Sequence, residues 1–378
     1  MQKYLSFLSV VLIMLLSCSN SNDNINIVQS DTINDGDNNH SDNNDQSDST
    51  EDNDADYQDW LVPINEIKDG GPGKDGIPSI DFPIFIEADH FEAGYVNDED
   101  LIIGLIRGDE VRAYPHKILD YHEIINDEIG GIPVSINYCP LTGTGFAWKG
   151  ELNIADSSFG VSGLLYNSNL ILYDRNTDSN WSQLKLQCIN GPLIQEIPDT
   201  YSIIETNWAT WKNMFPETLI LSKFTGYNRD YNSYPYGDYK TNHDLFLFSV
   251  NPTNNALPSK ERVYSIIEED LSKVYRFSDF AQGKALIDVV NGNTYLVVGN
   301  DLLIKSFKIN GVYQNLTFEY SYSGGREFFR DDEGNVWNID GLALSGPKSG
   351  QKLSSSIDVV SYWFAIAAFY PNPDIYLN

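Results

Sequence analysis

From residue 60 onward the chain is built of short apolar runs whose polar and apolar positions alternate. They span 101–106, 133–138, 145–148, 160–166, 170–173 and 295–298. Clusters of Gly, Asn and Asp separate them. Period-two alternation bounded by turn residues predicts strands joined by hairpins. Asn167-Ser168-Asn169 is one predicted turn, and Ser323-Gly324-Gly325 is another. Helical periodicity is rarer. The clearest helix is predicted over 115–126, with Pro115 at its first position and Gly130-Gly131 beyond its end. Short helices are predicted at 208–215 and 363–370, each stopped near a proline. The fold class is therefore α+β and β-rich.

Two stretches repeat one another. Tyr173-Asp-Arg, Trp181, Gly191-Pro192, Trp208 and Phe215-Pro216 recur as Phe329-Arg-Asp, Trp337, Gly346-Pro347, Trp363 and Tyr370-Pro371. From Gly191 and Gly346 onward the offset is a constant 155, and a weaker match continues upstream at about 161. A repeat of this length predicts tandem copies of one β-dominated domain. The expected organisation is a first copy over 60–225, a tyrosine-rich linker over 226–256 and a second, degenerate copy over 257–378. The first copy has His122, Glu123 and Cys139. The second has no histidine, and Asn300 stands at the offset from Cys139. Any chemistry is thus expected in the first copy.

The start of the chain has a different pattern. Lys3 precedes an apolar stretch over 5–16, and Leu15-Leu16-Ser17-Cys18 matches a lipoprotein cleavage box. The apolar stretch is short for a transmembrane helix and has the layout of a cleaved signal. Residues 1–18 are expected to be a lipoprotein signal peptide with acylation at Cys18. The expected location is the cell envelope, with a lipid anchor in the outer membrane of a Gram-negative cell. Residues 19–59 carry twelve acidic residues and no Lys or Arg. Such a segment cannot bury enough apolar surface to offset its ordering entropy, and it is expected to be a disordered tether. Removing it and Lys3 from the 24 basic and 54 acidic residues leaves 23 against 42. That balance argues against nucleic acid as a partner.

Beyond Cys18 the cysteines are Cys139 and Cys188. Two isolated thiols make no disulfide framework. Cys188 aligns with Ala343 in the second copy, and is expected to be a small buried hydrophobe. Cys139 ends a strand on its more polar face, with Ser135 and Asn137, while Val134, Ile136 and Tyr138 face the other way. The glycine-punctuated turn Leu141-Thr142-Gly143-Thr144-Gly145 follows and offers backbone N–H groups and two hydroxyls. On the predicted helix, His122 centres on the apolar stripe of Ile118, Leu119 and Ile125. Glu123 lies at its edge, and His116 is expected to face solvent. An imidazole, a thiol and a carboxylate or amide can activate a nucleophile. Cys and His also ligate soft or borderline metals. The candidate catalytic set is therefore Cys139, His122, Glu123 and Asn126. Cys139 and His122 double as candidate ligands for a transition metal, although no cofactor is specified.

The long stretch Arg112-Ala-Tyr-Pro-His-Lys-Ile-Leu-Asp-Tyr-His-Glu-Ile-Ile-Asn-Asp127, with Gly130-Gly131 and Tyr138-Cys-Pro-Leu-Thr-Gly-Thr144, resembles a bacterial family catalogued as domain of unknown function 3179. Tyr173-Asp-Arg175, Trp181-Ser-Gln183, Arg229-Asp-Tyr231 and Trp363-Phe-Ala365 extend the resemblance over roughly residues 70 to 378. It implies that His122 and Cys139, inside the central signature, matter. Some members have a second cysteine where this chain has Thr142, so a Cys-x-x-Cys mechanism is closed to this chain. Thr142, Thr144, Arg112, Asp174, Arg175, Tyr227 and Arg229 complete the expected ligand-binding set. Binding of a small ligand or metal by an envelope lipoprotein is the leading reading. A Cys/His-dependent enzyme for acyl or thiol transfer and an interaction protein are the alternatives. No phosphate loop, HExxH motif or GxSxG elbow is present.

Overall fold

The computed structural model describes residues 60–377, apart from 153, 154 and 157. The signal, Cys18 and the acidic tether lie outside the described residues. Among the described residues no helix is long and apolar enough to cross a membrane. The described chain is β-rich, and every strand run expected above is a strand.

Six main sheets divide into three pairs of like strand order. In the N-terminal part, strands Ile203–Asn207, Leu101–Arg107, Glu110–Pro115 and Leu219–Leu221 lie side by side, with Phe85–Glu87 at the edge. The C-terminal part has Ile357–Tyr362, Arg262–Glu268, Leu271–Arg276 and Asp374–Ile375 in that order. In both, the first three strands are antiparallel and the fourth joins parallel. The second pair runs Thr200–Tyr201, Thr144–Lys149, Ile132–Cys139, Ile124–Ile129 in one part and Ser354–Ser355, Ile304–Lys308, Asn293–Gly299, Lys284–Val290 in the other. The third contains Phe159–Tyr166, Asn169–Asp174, Asn180–Ser182, Gln187–Asn190 against Phe318–Tyr320, Phe329–Asp331, Val336–Trp337, Ala343–Ser345.

Alternation decides where each face goes. Ile103 and Leu105 pack on Ile125, Ile136 and Tyr138 of their own part. Ile102, on the opposite face, packs with Leu296, Phe307, Phe329 and Trp337 of the other part. The C-terminal sheet does the same in reverse. Tyr264 and Ile266 face Tyr295 and Val297, while Val263 and Ile267 face Trp148, Leu172 and Trp181. The helices that follow these sheets cross over as well. Trp208 and Trp211, on helix Trp208–Met214, lie in the core that holds Trp337. Trp363 and Ile366, on helix Trp363–Phe369, lie in the core that holds Trp181. Gly104 is needed for the first crossing, because a Cβ there would sit 2.3 Å from the Trp211 ring.

A shared device fixes the third pair of sheets. Trp181 Nε1 donates to Asp174 Oδ2 at 3.1 Å, and Trp337 Nε1 donates to Asp331 Oδ2 at 2.9 Å. Each aspartate also accepts from the backbone of its own turn. Cys188 stands opposite Trp181 where Ala343 stands opposite Trp337. It is buried and unpaired, as a small hydrophobe there should be.

The Asp174→Ala variant should lose about 1–3 kcal/mol of stability, because a buried indole N–H is left without an acceptor. Urea unfolding followed by tryptophan fluorescence would measure it. A change below about 0.5 kcal/mol would remove Asp174 from this role.

Candidate functional site

The helix carrying the central motif is shorter than its periodicity suggests. It runs His116–His122, and the expected continuation to 126 is a strand, Ile124–Ile129. The β-branched pair Ile124-Ile125 gains more from pairing with Asn137 and Ile136 than from another helical turn. Glu123 makes the switch. It adopts φ +56°, a region costly for a residue with a Cβ. Its N–H bonds Leu119 O at 2.8 Å, and its C=O accepts from Tyr138 N at 2.7 Å.

His122 and Cys139 are not hydrogen-bonded to one another. His122 is buried, and Nδ1 lies 2.8 Å from Pro78 O while Nε2 lies 2.7 Å from Tyr231 Oη. A carbonyl can only accept, so Nδ1 carries the proton and Nε2 accepts from the tyrosine. Burial, with Arg229 nearby, holds the imidazole below its usual range, partly offset by the bond to Pro78. Both ring nitrogens are thus spoken for, and a metal at Nε2 would have to displace Tyr231. The two side chains take other partners, because the chain turns at Glu123. The last helical residue then addresses Pro78 and Tyr231, while the strand end enters a different core. Among the described residues, no group of three or more His, Cys, Asp or Glu side chains is placed to hold a metal ion.

Cys139 sits in the core with Leu141, Phe146 and Leu170. Its sulfur lies 3.6 Å from Ser168 O, in the hairpin turn where Asn167 and Ser168 both have positive φ. Burial first, and the Glu123 carboxyl second, push the thiol up to about 11. A neutral thiol is a poor nucleophile at physiological pH.

Several other expected ligand residues are structural instead. Thr142 and Thr144 are fully buried. Asn169 Nδ2 donates to Thr142 Oγ1 at 2.9 Å and to Gln183 Oε1 at 2.7 Å, and Thr144 Oγ1 donates to Gln183 at 2.6 Å. Those hydroxyls are used up holding the turn. Arg112 is locked to Asp127 and Glu110, each at 2.6 Å. Asn126 bonds Asp81 and both backbone groups of Phe159. Asp174 anchors Trp181, as above. Arg175 reaches Asp81 and Ser79. Tyr227 lies against the His122 ring, 5.1 Å between centroids, and is exposed; Arg229 is exposed beside it. His116, expected in solvent, is 4 % exposed.

One expected residue does face a cavity. Glu123 is buried, and its side chain borders a space of about 60 Å³ lined by Leu141, Val161, Leu170, Tyr236 and Phe248. No described group donates a hydrogen bond to its carboxyl, and burial alone pushes it up to about 8. At neutral pH it is a protonated acid at the end of an apolar cavity, beside a protonated thiol. That arrangement can give and accept a hydrogen bond.

The central motif and the chain around it now have a geometry. The model of the family described as protein of unknown function (DUF3179) matches residues 74–373. The chain belongs to that family. No curated protein matches the chain, and no solved structure does. The family match spans both parts of the described fold, so Glu123 and the core exchange both fall within it.

Sequence reasoning included Glu123 but ranked it behind the histidine. The signal that singles it out is conformational. A glutamate at positive φ is visible only in the backbone. In DUF3179 terms, the central signature carries two opposed carriers: His122, satisfied, and Glu123, unsatisfied.

Two outcomes are expected. Native protein treated with iodoacetamide at pH 7.5 should leave Cys139 unmodified, with the same slow rate in a His122→Ala variant that remains folded; rapid labelling would contradict a buried neutral thiol. The pH dependence of stability should carry the signature of Glu123. Its folded pKa lies above the unfolded value near 4.5, so the folded state holds the extra proton between about pH 4.5 and 8. Stability from this group is then present at low pH and lost as pH rises through that window, at up to about 1.4 kcal/mol per unit. Denaturant unfolding at pH 5 and pH 8 should show a smaller loss in Glu123→Gln than in the wild type.

Proposed function

We propose that this protein is an envelope lipoprotein, held to the membrane through Cys18, whose globular part binds a small amphiphile in the cavity at Glu123. One observation carries the binding reading: Glu123 is only 6 % exposed, no described group donates a hydrogen bond to its carboxyl, and the residue borders an apolar space. A ligand that brings a hydrogen-bond partner into this largely water-excluded place gains a bond worth about 0.5–1.5 kcal/mol. The space is large enough for several non-hydrogen atoms. Its occupant is apolar over most of its surface and carries one neutral hydrogen-bonding group.

The paired strand orders support a second element of the proposal, that the two parts are copies of one fold with the site kept in the first. The residue preceding strand Lys284–Val290, in the place Glu123 holds before Ile124–Ile129, is Gly283 at φ +74°. Glycine occupies such a conformation without strain. A glutamate there bears a conformational cost that packing does not require, the pattern expected where a side chain is kept for function. A neutral thiol with His122 engaged elsewhere favours binding over acyl or thiol transfer.

The test is a thermal-shift and calorimetric titration of the purified protein with cyclopentanol and cyclohexanol as probes. The wild type should be stabilised saturably. Glu123→Leu should weaken binding at least tenfold, and Glu123→Gln, which keeps a hydrogen-bonding head, should weaken it less. Saturable binding that is the same in Glu123→Leu would refute the site. For the anchor, Cys18→Ser should release the protein from the membrane fraction.

A further inference from the structure

A lysine and an aspartate meet in the C-terminal part almost out of reach of solvent. The side chains of Lys305 and Asp358 are 2 % and 7 % exposed. Lys305 lies on strand Ile304–Lys308 and Asp358 on strand Ile357–Tyr362, which belong to different sheets. An ion pair in such a place loses much of its attraction to the cost of stripping both charges of water. The Lys305 nitrogen stands 2.7 Å from Asp358 Oδ1 and 2.8 Å from Oδ2. A nitrogen so evenly placed faces the carboxyl carbon between the two oxygens. A nucleophile held roughly 3–3.5 Å from its carbon is in a near-attack arrangement, with an effective molarity on the order of 10⁵–10⁸ M.

A relay of hydroxyls ends on the same carboxyl. Ser356 Oγ donates to Asp358 Oδ2 at 2.8 Å. With its proton committed there, Ser356 accepts from Ser306 Oγ at 2.5 Å, and Ser306 accepts from Tyr264 Oη at 2.7 Å. Donation to Oδ2 draws electron density from the carboxyl carbon and marks that oxygen as the one to leave. Ser356 also lines an open cavity of about 560 Å³, together with Lys308 and Tyr295. A water released beside it has a way out.

We propose that Lys305 and Asp358 join in an intramolecular amide. Proton transfer within the pair gives a neutral amine and a neutral acid, the form that a water-excluded place favours. The nitrogen lone pair forms a bond to Asp358 Cγ, the Cγ–Oδ2 bond breaks, and Oδ2 leaves as water with two protons from the nitrogen. An ammonium and a carboxylate thus become a secondary amide and one water, and no oxidant, reductant or cofactor takes part. The product is uncharged, so the desolvation cost of the ion pair disappears. The bond closes a loop that contains the whole sheet of Phe318–Tyr320, Phe329–Asp331, Val336–Trp337 and Ala343–Ser345. That sheet receives Trp208 and Trp211 from the other part, so the link fixes the receiving side of the core exchange.

Peptide mapping by mass spectrometry, on purified protein that is then unfolded and digested with trypsin, tests this. The expected result is a branched species joining the segments around residues 305 and 358, lighter than the two separate peptides by one water, with no cleavage after Lys305. Lys305→Arg keeps the charge and should give only linear peptides at both positions. Recovery of Lys305 and Asp358 solely in linear, unmodified peptides from the wild type would overturn the proposal and leave a buried ion pair. A loss of one water that persists in Lys305→Arg would also overturn it, because the dehydration would then lie elsewhere. Should Lys305→Arg fail to fold, the wild-type map decides by itself, since the branched species names both residues.

Discussion

The structure depends on an exchange of core surface between its two parts. Each part has a sheet with two apolar faces. One face is covered at home, by Tyr138 and Ile136 or by Tyr295 and Val297. The other is covered only by the partner part. Helix Trp208–Met214 fills the core around Trp337, and helix Trp363–Phe369 fills the core around Trp181. Burying a large aromatic side chain contributes about 1.5–3 kcal/mol, and several such side chains are involved in each direction. Neither part can close its cores alone, so the two must form together. The similar strand orders then have a physical consequence: the same pairing, first sheet of one part against the tryptophan-bearing sheet of the other, is made in both directions.

This constraint also places the polar residues. Thr142 O accepts from Tyr362 N at 2.8 Å, so the turn after Cys139 is sewn to the last strand of the other part. Gly143 allows that approach; it has φ +61°, and a Cβ would lie 3.2 Å from the Tyr362 ring. Behind the turn, Thr142, Thr144, Asn169, Gln183 and Asn137 are joined in one hydrogen-bonded network that braces it. Rigid surroundings are what allow Glu123 to keep a strained backbone and an unpaired carboxyl. His116 and Glu123 stand at the two ends of the same short helix, the first against Tyr138 and the second near Cys139, neighbours whose side chains point to opposite faces of their strand.

Much of this was legible in the residues. The strands, both hairpin turns and both closing helices follow from alternation, turn chemistry and proline placement. The inward face of Tyr138 and the opposite face of Cys139 follow from period two. The helix over the central motif was overextended, because Ile118, Leu119, His122 and Ile125 fit a 3.6-residue stripe equally well whether or not the chain turns at Glu123. Periodicity counts positions and does not register a single residue at positive φ. His116 was assigned to solvent for the same reason: a helical stripe records one buried face, and the second face here is covered by Glu205 and Tyr138, some 89 and 22 residues away.

By itself the sequence determined the β-rich class, the family, the strands and the burial of Trp181, Trp337 and Cys188. Those properties are set by local patterning and by side-chain size, which act over a few residues. Only the tertiary structure decided that His122 serves Tyr231 and Pro78 rather than Cys139, that Thr142 and Thr144 are bonded inward, and that Glu123 is left without a partner. A hydrogen-bond partner is a matter of distance in space. The chain brings Pro78, Tyr231 and His122 together from three separate segments, and no spacing along the sequence encodes that meeting.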